Sequence, residues 1–458
     1  MRIDSLTLHN FRKFNQMSCT FDKHLTVLIG ANGEGKTTLL DAARIALWSF
    51  VKGFDLGSQT GKSATIQIED ARLSTQEAGN MEPQIPSFIR ASGCWSESVP
   101  TCEWTHTRER IKKNTNSLQD ENAKELTKYA KKLEKMCRDG ESVVLPLVTY
   151  LGTSRLWYQG RYRAETSEIT LDVNDYSRTS GYLNCLSYTS SFKAFADWYG
   201  WICRSYDEAR LRAWENKTSL DASGQRFEDT VRVIQSSVDT LVKEITGWHS
   251  LRFSSEHHQQ LVMQHPTDGT LPVDMLSDGL RNMIAMIADI AFRSYKLNPQ
   301  FGKDAALKTP GIALIDEVDM FLHPQWQQTV LASLRNAFPE IQFIVTTHSP
   351  QVLTTVKREN IRVLTENDNG QIVAQMPCIS PLGHESGDAL SYVMQVPVKP
   401  AMPFDDDIST YEQMVRNGDE DTQEAQAIKK RLDELGYEFA DSDLQTWRFL
   451  ASRKKVSA

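Results

Sequence analysis

The chain has 458 residues, of which 40% are hydrophobic and 24% charged, so it can bury a core and is not a disordered chain. Its 51 Lys and Arg against 59 Asp and Glu give a net charge of −8, so any contact with nucleic acid should use a local basic patch. Its sequence has no apolar run of about 18 residues, no apolar leader and no CxxC pair among seven cysteines, so we expect a cytoplasmic protein without a membrane span.

The first part of the chain predicts a strand, a loop and a helix in that order. Residues 10–14 (NFRKF) are typical of a turn that leaves a strand, and residues 25–29 are a short apolar run. Glycines and polar residues follow, and then residues 39–50 are rich in helix formers. Residues 65–70 alternate with period two, which predicts a further strand.

The middle of the chain, residues 81–250, predicts a mainly helical insertion. Within it, residues 108–138 hold ten Lys or Arg against five acids, which indicates a long exposed helix pair or a mobile arm. A solvated helical surface is favoured there over a nucleic-acid patch, and both interpretations stay open. Residues 192–201 contain five aromatics at helical spacing and predict core, and residues 231–241 predict an amphipathic helix.

Two apolar strands are predicted late in the chain, at residues 312–315 and 341–345, with a helix at 326–338 between them. This rhythm indicates a parallel sheet that binds ligands at its carboxyl edge. Beyond residue 400 the sequence becomes acidic and then helical. The predicted organisation is an N-terminal part at 1–80, the insertion at 81–250, a second part at 251–383 and a helical extension at 384–458.

Residues 30–37 read GANGEGKT and match the phosphate-binding pattern GxxxxGK[ST] between an apolar strand and a helix. Glycines there let backbone N–H groups curl around phosphate oxygens. We expect Lys36 to neutralise the phosphates and Thr37 to give Mg²⁺ a hydroxyl ligand. The residues predicted to hold the nucleotide in this loop are Gly30, Ala31, Asn32, Gly33, Glu34, Gly35, Lys36, Thr37 and Thr38.

A second acidic motif follows the strand at 312–315, where the sequence reads IALIDE. An apolar strand that ends in two acids suits metal-assisted cleavage of a phosphoanhydride. We expect Asp316 to hold Mg²⁺ and Glu317 to polarise the attacking water. An acidic surface turn is the alternative, which the P-loop on the same predicted sheet disfavours.

Two further positions are candidates at the edge of the predicted sheet. Ser277 and Gly279, in LSDGLR, precede a helix and could present hydroxyl and N–H groups, although a simple helix cap would use the same residues. His348 follows the strand at 341–345 and is predicted to face a ligand, the alternative being a satisfied core histidine.

Together these motifs resemble the nucleotide-binding domain of ABC-type ATPases, in the branch that includes RecF, SMC proteins and the OLD ATPases. NFRKF, the P-loop, LSDGLR as signature, IALIDE as Walker B, EVDMFLHP as D-loop and TTHSP as H-switch occur in the family order. The resemblance implies an α/β, ABC-type P-loop ATPase domain with a central mostly parallel sheet, interrupted by a largely helical insertion and followed by a short helical C-terminal extension.

The resemblance also implies roles for individual residues. Ser277 and Gly279 would contact the γ-phosphate of an ATP held by the opposite protomer of a head-to-tail dimer. Asp319 would be the D-loop acid, and His348 would reach the γ-phosphate. The family usually has a second glycine where this chain has Asp278, so the signature departs from the usual pattern.

Chain size and the stretches EVDMFLHPQWQ and TTHSPQVL are most similar to the PtuA-type ATPases of Septu and retron anti-phage systems. That resemblance implies ATP and Mg²⁺ as ligands, self-association and a partner HNH nuclease similar to PtuB. We expect no intrinsic nuclease, because the DxD at 405–407 lacks the strand and glutamate that a Toprim nuclease needs. Two alternatives stay open: a RecF-like repair ATPase that binds DNA itself, and an ATP-binding scaffold with slow or no hydrolysis.

Overall fold

The structure is a computed structural model that describes residues 1–58, 64–75, 79–96, 101–112, 117–156, 177–188, 192–257 and 259–456. The chain divides into two compact units, Met1–Val396 and Pro397–Ala458. The predicted extension at 384–458 therefore begins later in the structure, at residue 397. Among the described residues, no helix has the length and apolarity that crossing a bilayer requires.

Within the residues that the structure describes, the strands of the first unit form four sheets. In chain order they are β1 (Arg2–Phe11), β2 (Phe14–Thr20), β3 (Leu25–Gly30), β4 (Leu73–Thr75), β5 (Met81–Pro83), β6 (Ser87–Cys94), β7 (Cys102–Arg108), β8 (Leu118–Gln119), β9 (Leu147–Leu151), β10 (His249–Ser254), β11 (Gln260–His265), β12 (Gly269–Pro272), β13 (Gly311–Ile315), β14 (Ile341–Thr346), β15 (Ile361–Glu366) and β16 (Ile372–Gln375).

The helices belong to both units. In chain order they are α1 (Lys36–Val51), α2 (Asp55–Ser58), α3 (Glu121–Arg138), α4 (Phe192–Glu215), α5 (Ala222–Thr246), α6 (Asp278–Leu297), α7 (Ala305–Lys308), α8 (Pro324–Gln327), α9 (Val330–Ala337), α10 (Pro350–Leu353), α11 (Ser386–Asp388), α12 (Asp405–Asn417), α13 (Gln423–Glu434) and α14 (Asp441–Val456).

A six-stranded sheet in the order β16-β15-β3-β14-β13-β9 forms the centre of the first unit. Five of its strands are parallel and β16 is an antiparallel edge. Every residue of β9, β13 and β14 is buried, which is the pattern expected of a parallel sheet covered by helices. The predicted α/β fold with a central, mostly parallel sheet is confirmed.

Residues 81–119 differ from the predicted helical insertion, because they contribute strands. The strands β6, β7 and β8 extend an antiparallel sheet in the order β2-β1-β6-β7-β8. Buried positions alternate along β6, but they are filled by small residues such as Ser87, Ala91 and Gly93, so the hydrophobic signal of a strand is weak. Residues 97–100, 157–176 and 189–191 of the predicted insertion lie outside the described residues.

The described residues of the basic segment at 108–138 form neither a helix pair nor an arm. Arg108 ends β7 and is buried, and a single helix, α3, starts at Glu121 and packs on α1. Asp120 caps this helix by accepting a hydrogen bond from the N–H of Ala123. Residues 113–116 of the segment lie outside the described part.

The strand predicted at residues 65–70 is wrong. Residues 68–70 form a 3₁₀ turn in which the Asp70 carboxylate accepts a hydrogen bond from the N–H of Gln67 at 2.9 Å. Asp70 also pairs with Arg12 at 2.9 Å. Local side-chain hydrogen bonds of this kind compete with the hydrogen bonds of a strand ladder. This explains why the period-two alternation at residues 65–70 does not produce a strand.

Aromatic residues 192–201 lie on α4 and are core, as predicted. Phe195 and Tyr199 are fully buried and stack with ring centroids 5.4 Å apart. The amphipathic helix predicted at 231–241 lies inside α5, which packs on both α4 and α6. Most residues of α6 are themselves buried, so this helix lies inside the core.

The second unit is a bundle of α12, α13 and α14 with a core of its own. The cluster of buried residues in this core is Tyr411, Val415, Ala425, Ile428, Leu432 and Trp447. Phe449 remains 58% exposed and Leu435 60% exposed, so part of the apolar surface of this unit is in contact with solvent.

Candidate ATP site

The glycine-rich loop connects the end of β3 to the start of α1, as the motif predicts. Gly33 and Gly35 have φ values of 85° and 96°, in the left-handed region that favours glycine. A Cβ on Gly35 would lie 2.4 Å from the ring of Phe14, whereas a Cβ on Gly33 would meet no atom within 4 Å. Backbone strain and the close approach of Phe14 therefore both require glycine at position 35.

Lys36 lies over this loop. Its Nζ donates to the carbonyl oxygens of Gly30 at 2.8 Å and Ala31 at 3.0 Å. Burial lowers the pKa of Lys36, and the nearby carboxylates, first of all Asp316 and then Glu317, oppose that shift. A cation held at the mouth of a glycine loop is the arrangement that binding phosphate oxygens needs.

The first carboxylate of the acidic motif lies beside the P-loop hydroxyl. Thr37 Oγ1 donates to Asp316, at 3.0 Å from Oδ2 and 3.3 Å from Oδ1. Asp316 is 3% exposed and directly follows β13, whose neighbour β14 is flanked in turn by β3. A hydroxyl and a carboxylate at this distance are the oxygen ligands that Mg²⁺ accepts, so the residues present fit the ion.

The second acid of the motif has an unusual backbone conformation. Glu317 has a φ of 48°, rare for a residue with a side chain. Its N–H donates to Thr346 Oγ1 at 2.7 Å, and the same hydroxyl donates to Asp316 Oδ1 at 2.6 Å. Thr346 thus contacts both acids of the motif.

His348 is half-buried and lines a cleft of about 420 Å³, together with Gly30, Ala31 and Asn32 of the P-loop. It is therefore not a buried core histidine. Burial lowers the pKa of His348, and the charge of Lys36 adds to this effect, while Glu317 acts in the opposite direction. This shift favours the neutral imidazole, which shares its electrostatic environment with the P-loop and the acids.

The signature turn, residues 276–281, starts α6. Ser277 is the N-cap and accepts a hydrogen bond from the N–H of Leu280 at 3.4 Å, so the cap considered from the sequence is present. Asp278 forms an ion pair with Arg281 three residues later. The turn packs on the D-loop segment, residues 317–324, because a Cβ on Gly279 would lie 2.4 Å from the carbonyl oxygen of Phe321.

Asp319 lies in the D-loop segment. Its negative charge opposes the lowering of the His348 pKa. Its Oδ1 is buried and has no hydrogen-bond partner within the described parts of the chain. A buried carboxylate oxygen without a partner is costly, which is typical of a group that meets a ligand or another chain. The structure therefore brings Lys36, Thr37, Asp316, Glu317, Asp319 and His348 into one site, while the bonds described for Ser277 stay within its own helix.

Sequence reasoning missed two residues of this site. Lys13 donates to the carbonyl oxygen of Gly33 and pairs with Glu34 at 3.5 Å, so the turn after β1 contacts the P-loop. Its signal was the NFRKF motif itself. Thr346 was also missed, because it opens the TTHSP motif, whose predicted functional residue was His348, and the motif does not show a contact with the acids.

Comparison with known proteins gives two family matches. One family, described as an AAA domain, matches residues 5–221. The other, described as "AAA domain, putative AbiEii toxin, Type IV TA system", matches residues 176–354. Together they include every candidate site residue named above.

Several individual proteins are similar to this chain. The Retron Vc95 probable ATPase of Vibrio cholerae serotype O1 biovar El Tor is 27% identical over an alignment of 472 positions, which covers 94% of this chain and 86% of that protein. The Retron Ec83 probable ATPase of Escherichia coli is 27% identical, with 81% of this chain and 72% of that protein covered. The Septu protein PtuA of Bacillus mycoides (strain KBAB4) is 41% identical over 93 residues, or 20% of this chain and 12% of that protein.

Among solved structures, the SMC head domain from Thermotoga maritima matches with a TM-score of 0.43 and 15% sequence identity. The match covers 83% of this chain and 100% of that one.

Proposed function

Since this chain belongs to the PtuA- and retron-type ATPases of the RecF- and SMC-like branch, we propose that it hydrolyses ATP with Mg²⁺ at the site described above. The contact of Thr37 with Asp316 at 3.0 Å carries this proposal. It joins the P-loop to the acid of a strand far away in sequence, and it pairs a hydroxyl with a carboxylate where a metal–nucleotide complex would lie. The family matches over both halves of the ATPase unit support the same function.

The residues of the site divide the chemistry between them. Backbone N–H groups of residues 30–37 and the Lys36 ammonium would bind the phosphates. Thr37 and Asp316 would hold Mg²⁺, which supplies charge stabilisation when it is bound. Glu317 would accept a proton from the attacking water, and neutral His348 would donate a hydrogen bond to the terminal phosphate.

We place the signature turn in a composite site that a second copy completes, head to tail. Ser277 caps a helix of 20 residues, whose N-terminal N–H groups and dipole attract anions. Gly279 packs on the D-loop segment, which also contains Asp319, whose buried Oδ1 has no hydrogen-bond partner among the described residues. In the ABC-type ATPases that this chain resembles, the signature turn faces the ATP of the opposite protomer.

The biological role that we propose is control of a partner HNH nuclease in anti-phage defence, driven by ATP binding and hydrolysis. The retron and Septu names of the relatives support the defence role. The acids at the start of α12 already have structural uses, which argues against intrinsic cleavage of DNA. Asp405 accepts a hydrogen bond from the N–H of Met402 at 2.9 Å, and Asp407 pairs with Arg431 at 2.6 Å.

One observation favours a second candidate, in which the chain itself contacts nucleic acid. Lys131, Lys132 and Lys135 are exposed on α3, and none of them takes part in an ion pair within the described residues. The charge of Lys131 adds to burial in lowering the pKa of Lys52. A cationic ridge of this kind suits phosphate contacts, whose affinity should fall steeply with salt.

The test combines co-purification with enzymology. The full chain is expressed with its neighbouring reading frames, and the complex and the lone chain are assayed for Mg²⁺-dependent ATP hydrolysis and for DNA cleavage. We expect ATP turnover by the chain, loss of turnover in Glu317→Gln, and cleavage only when the partner is present. Metal-dependent DNA cleavage by the lone chain that is abolished by Asp405→Asn with Asp407→Asn, but not by Glu317→Gln, would refute the proposal that the partner cleaves DNA and this chain does not.

Salt dependence separates the second candidate from the first. DNA binding by the lone chain should weaken when Lys131, Lys132 and Lys135 are changed to Gln, and the slope of affinity against salt should become shallower. Lys124→Gln with Lys128→Gln is the control matched to Lys131→Gln with Lys135→Gln, because Lys124 and Lys128 pair with Glu121 and Glu125 on the same helix. Equal effects of the two sets would refute a specific ridge.

A further inference from the structure

Thr346 is the last residue of β14 and is fully buried beside the acidic motif. Its hydroxyl makes two hydrogen bonds with successive residues of the neighbouring chain segment. It donates to Asp316 Oδ1 at 2.6 Å and accepts from the N–H of Glu317 at 2.7 Å. The Thr346 carbonyl accepts a third bond, from the N–H of Val318 at 3.0 Å. One residue therefore holds three consecutive residues at the end of β13.

The donor bond orients the carboxylate that contacts the P-loop. Asp316 accepts from Thr346 through Oδ1, which leaves Oδ2 as its nearer oxygen to Thr37, at 3.0 Å. Without the Thr346 hydroxyl, Asp316 would lose the hydrogen bond that fixes the position of its Oδ1. Partners behind a metal ligand commonly set its orientation in this way.

The acceptor bond stabilises the backbone that carries Glu317. A φ of 48° is unfavourable for a residue with a Cβ and persists where surrounding contacts impose it. The bond from the Glu317 N–H to the Thr346 hydroxyl is such a contact, and the bond from Val318 follows it directly. The direction in which the Glu317 side chain leaves the sheet depends on that turn.

We propose that Thr346 is a positioning residue for ATP hydrolysis. Its single hydroxyl orients the carboxylate of Asp316 and stabilises the backbone turn at Glu317. The inference rests on the proposed function of Asp316 and Glu317. Threonine suits this task because its branched Cβ limits the side chain to few rotamers, and its hydroxyl can donate and accept together.

The test uses Thr346→Val and Thr346→Ser in the full chain. Valine keeps the shape and removes the hydroxyl, whereas serine keeps the hydroxyl. We expect Thr346→Val to lower kcat about 10- to 100-fold and to raise the Mg²⁺ concentration needed for half-maximal rate, the size of effect typical of partners behind metal ligands. ATP affinity measured by calorimetry without Mg²⁺ should change less than about threefold, because Lys36 and the loop are untouched. Serine should restore most of kcat.

Thr149→Val is the matched control. Thr149 is also fully buried in the central sheet and donates to a carboxylate, that of Asp289, at 3.2 Å. Asp289 keeps its ion pair with Arg293 at 2.8 Å, so this variant also loses one buried hydroxyl, but one that bonds to neither Asp316 nor Glu317. It should leave kcat and the Mg²⁺ requirement close to wild type.

Three outcomes would overturn the inference: wild-type kcat and Mg²⁺ dependence in Thr346→Val, the same loss in Thr346→Ser as in Thr346→Val, or the same loss in Thr149→Val. If Thr346→Val does not yield folded protein, Thr346→Ala is measured in the same way. Glu317→Gln is assayed in parallel. Absence of Mg²⁺-dependent ATP turnover by the wild-type chain would refute the proposed function itself, and a fully active Glu317→Gln would refute Glu317 as the general base. An inactive Glu317→Gln beside a normal Thr346→Val would refute the positioning role alone.

Discussion

Substitution of Gly35 by alanine tests whether the P-loop has the conformation that the structure gives it. The new Cβ would lie 2.4 Å from one ring carbon of Phe14 and 3.0 Å from another. Phe14 is 2% exposed and belongs to the main hydrophobic core, so its ring has little room to move. The Gly35 φ of 96° is also unfavourable for alanine, so two costs add at this position.

Gly33→Ala separates these two costs. Gly33 has a similar φ of 85°, but a Cβ there would meet no atom within 4 Å. Backbone strain alone should cost roughly 1–2 kcal/mol of the free energy of unfolding in either variant. Gly35→Ala should lose about 1–3 kcal/mol more, which is the usual cost of overpacking a filled site.

Urea unfolding followed by tryptophan fluorescence and ATP titration calorimetry give the two readouts. We expect Gly35→Ala to unfold at lower urea than Gly33→Ala and to bind ATP more weakly. Adding Phe14→Leu to Gly35→Ala should recover part of the difference, because the shorter side chain makes room for the new Cβ. Equal stability of the two alanine variants would refute the packing of Phe14 against this loop.

Three further predictions concern the site and the second unit. Lys36→Ala should abolish tight ATP binding in calorimetry, because the ammonium that neutralises the phosphates is removed; unchanged affinity would refute the P-loop assignment. Ser277→Arg should leave ATP binding by the isolated chain intact but block ATP turnover, since the bulk prevents closure of the composite site, and full activity of this variant alone would refute the pairing of signature and P-loop. Mixed with Lys36→Ala, it can form one intact site per mixed dimer, so any recovered turnover would be direct support. A chain ending at Val396 should keep ATP binding and lose co-purification of the nuclease if the exposed Phe449 and Leu435 belong to the docking surface; retained co-purification would exclude that surface.

The residues of the ATP site were predicted better from the sequence than the helices and strands around them were. The P-loop and the acids at 316–317 follow strictly ordered patterns whose chemistry fixes residue types, and the structure brings them together as expected. The strands at 87–94 and 102–108 escaped prediction because their inward positions are mostly small or polar, including Ser87 and His106. Thr346 escaped because its role depends on a neighbour in space, and only the pairing of β14 with β13 reveals that neighbour.

The position of β3 in the central sheet has a consequence for biosynthesis. This strand carries the P-loop near the start of the chain, yet both of its hydrogen-bonded neighbours, β14 and β15, come from residues 341–366. During translation more than three hundred further residues must therefore be synthesised after β3 before its partner strands leave the ribosome. A nascent chain cannot assemble a nucleotide site early, because such long-range pairing forms late. The chain therefore gains the ability to bind ATP only when the signature, the acids and the histidine have also been made.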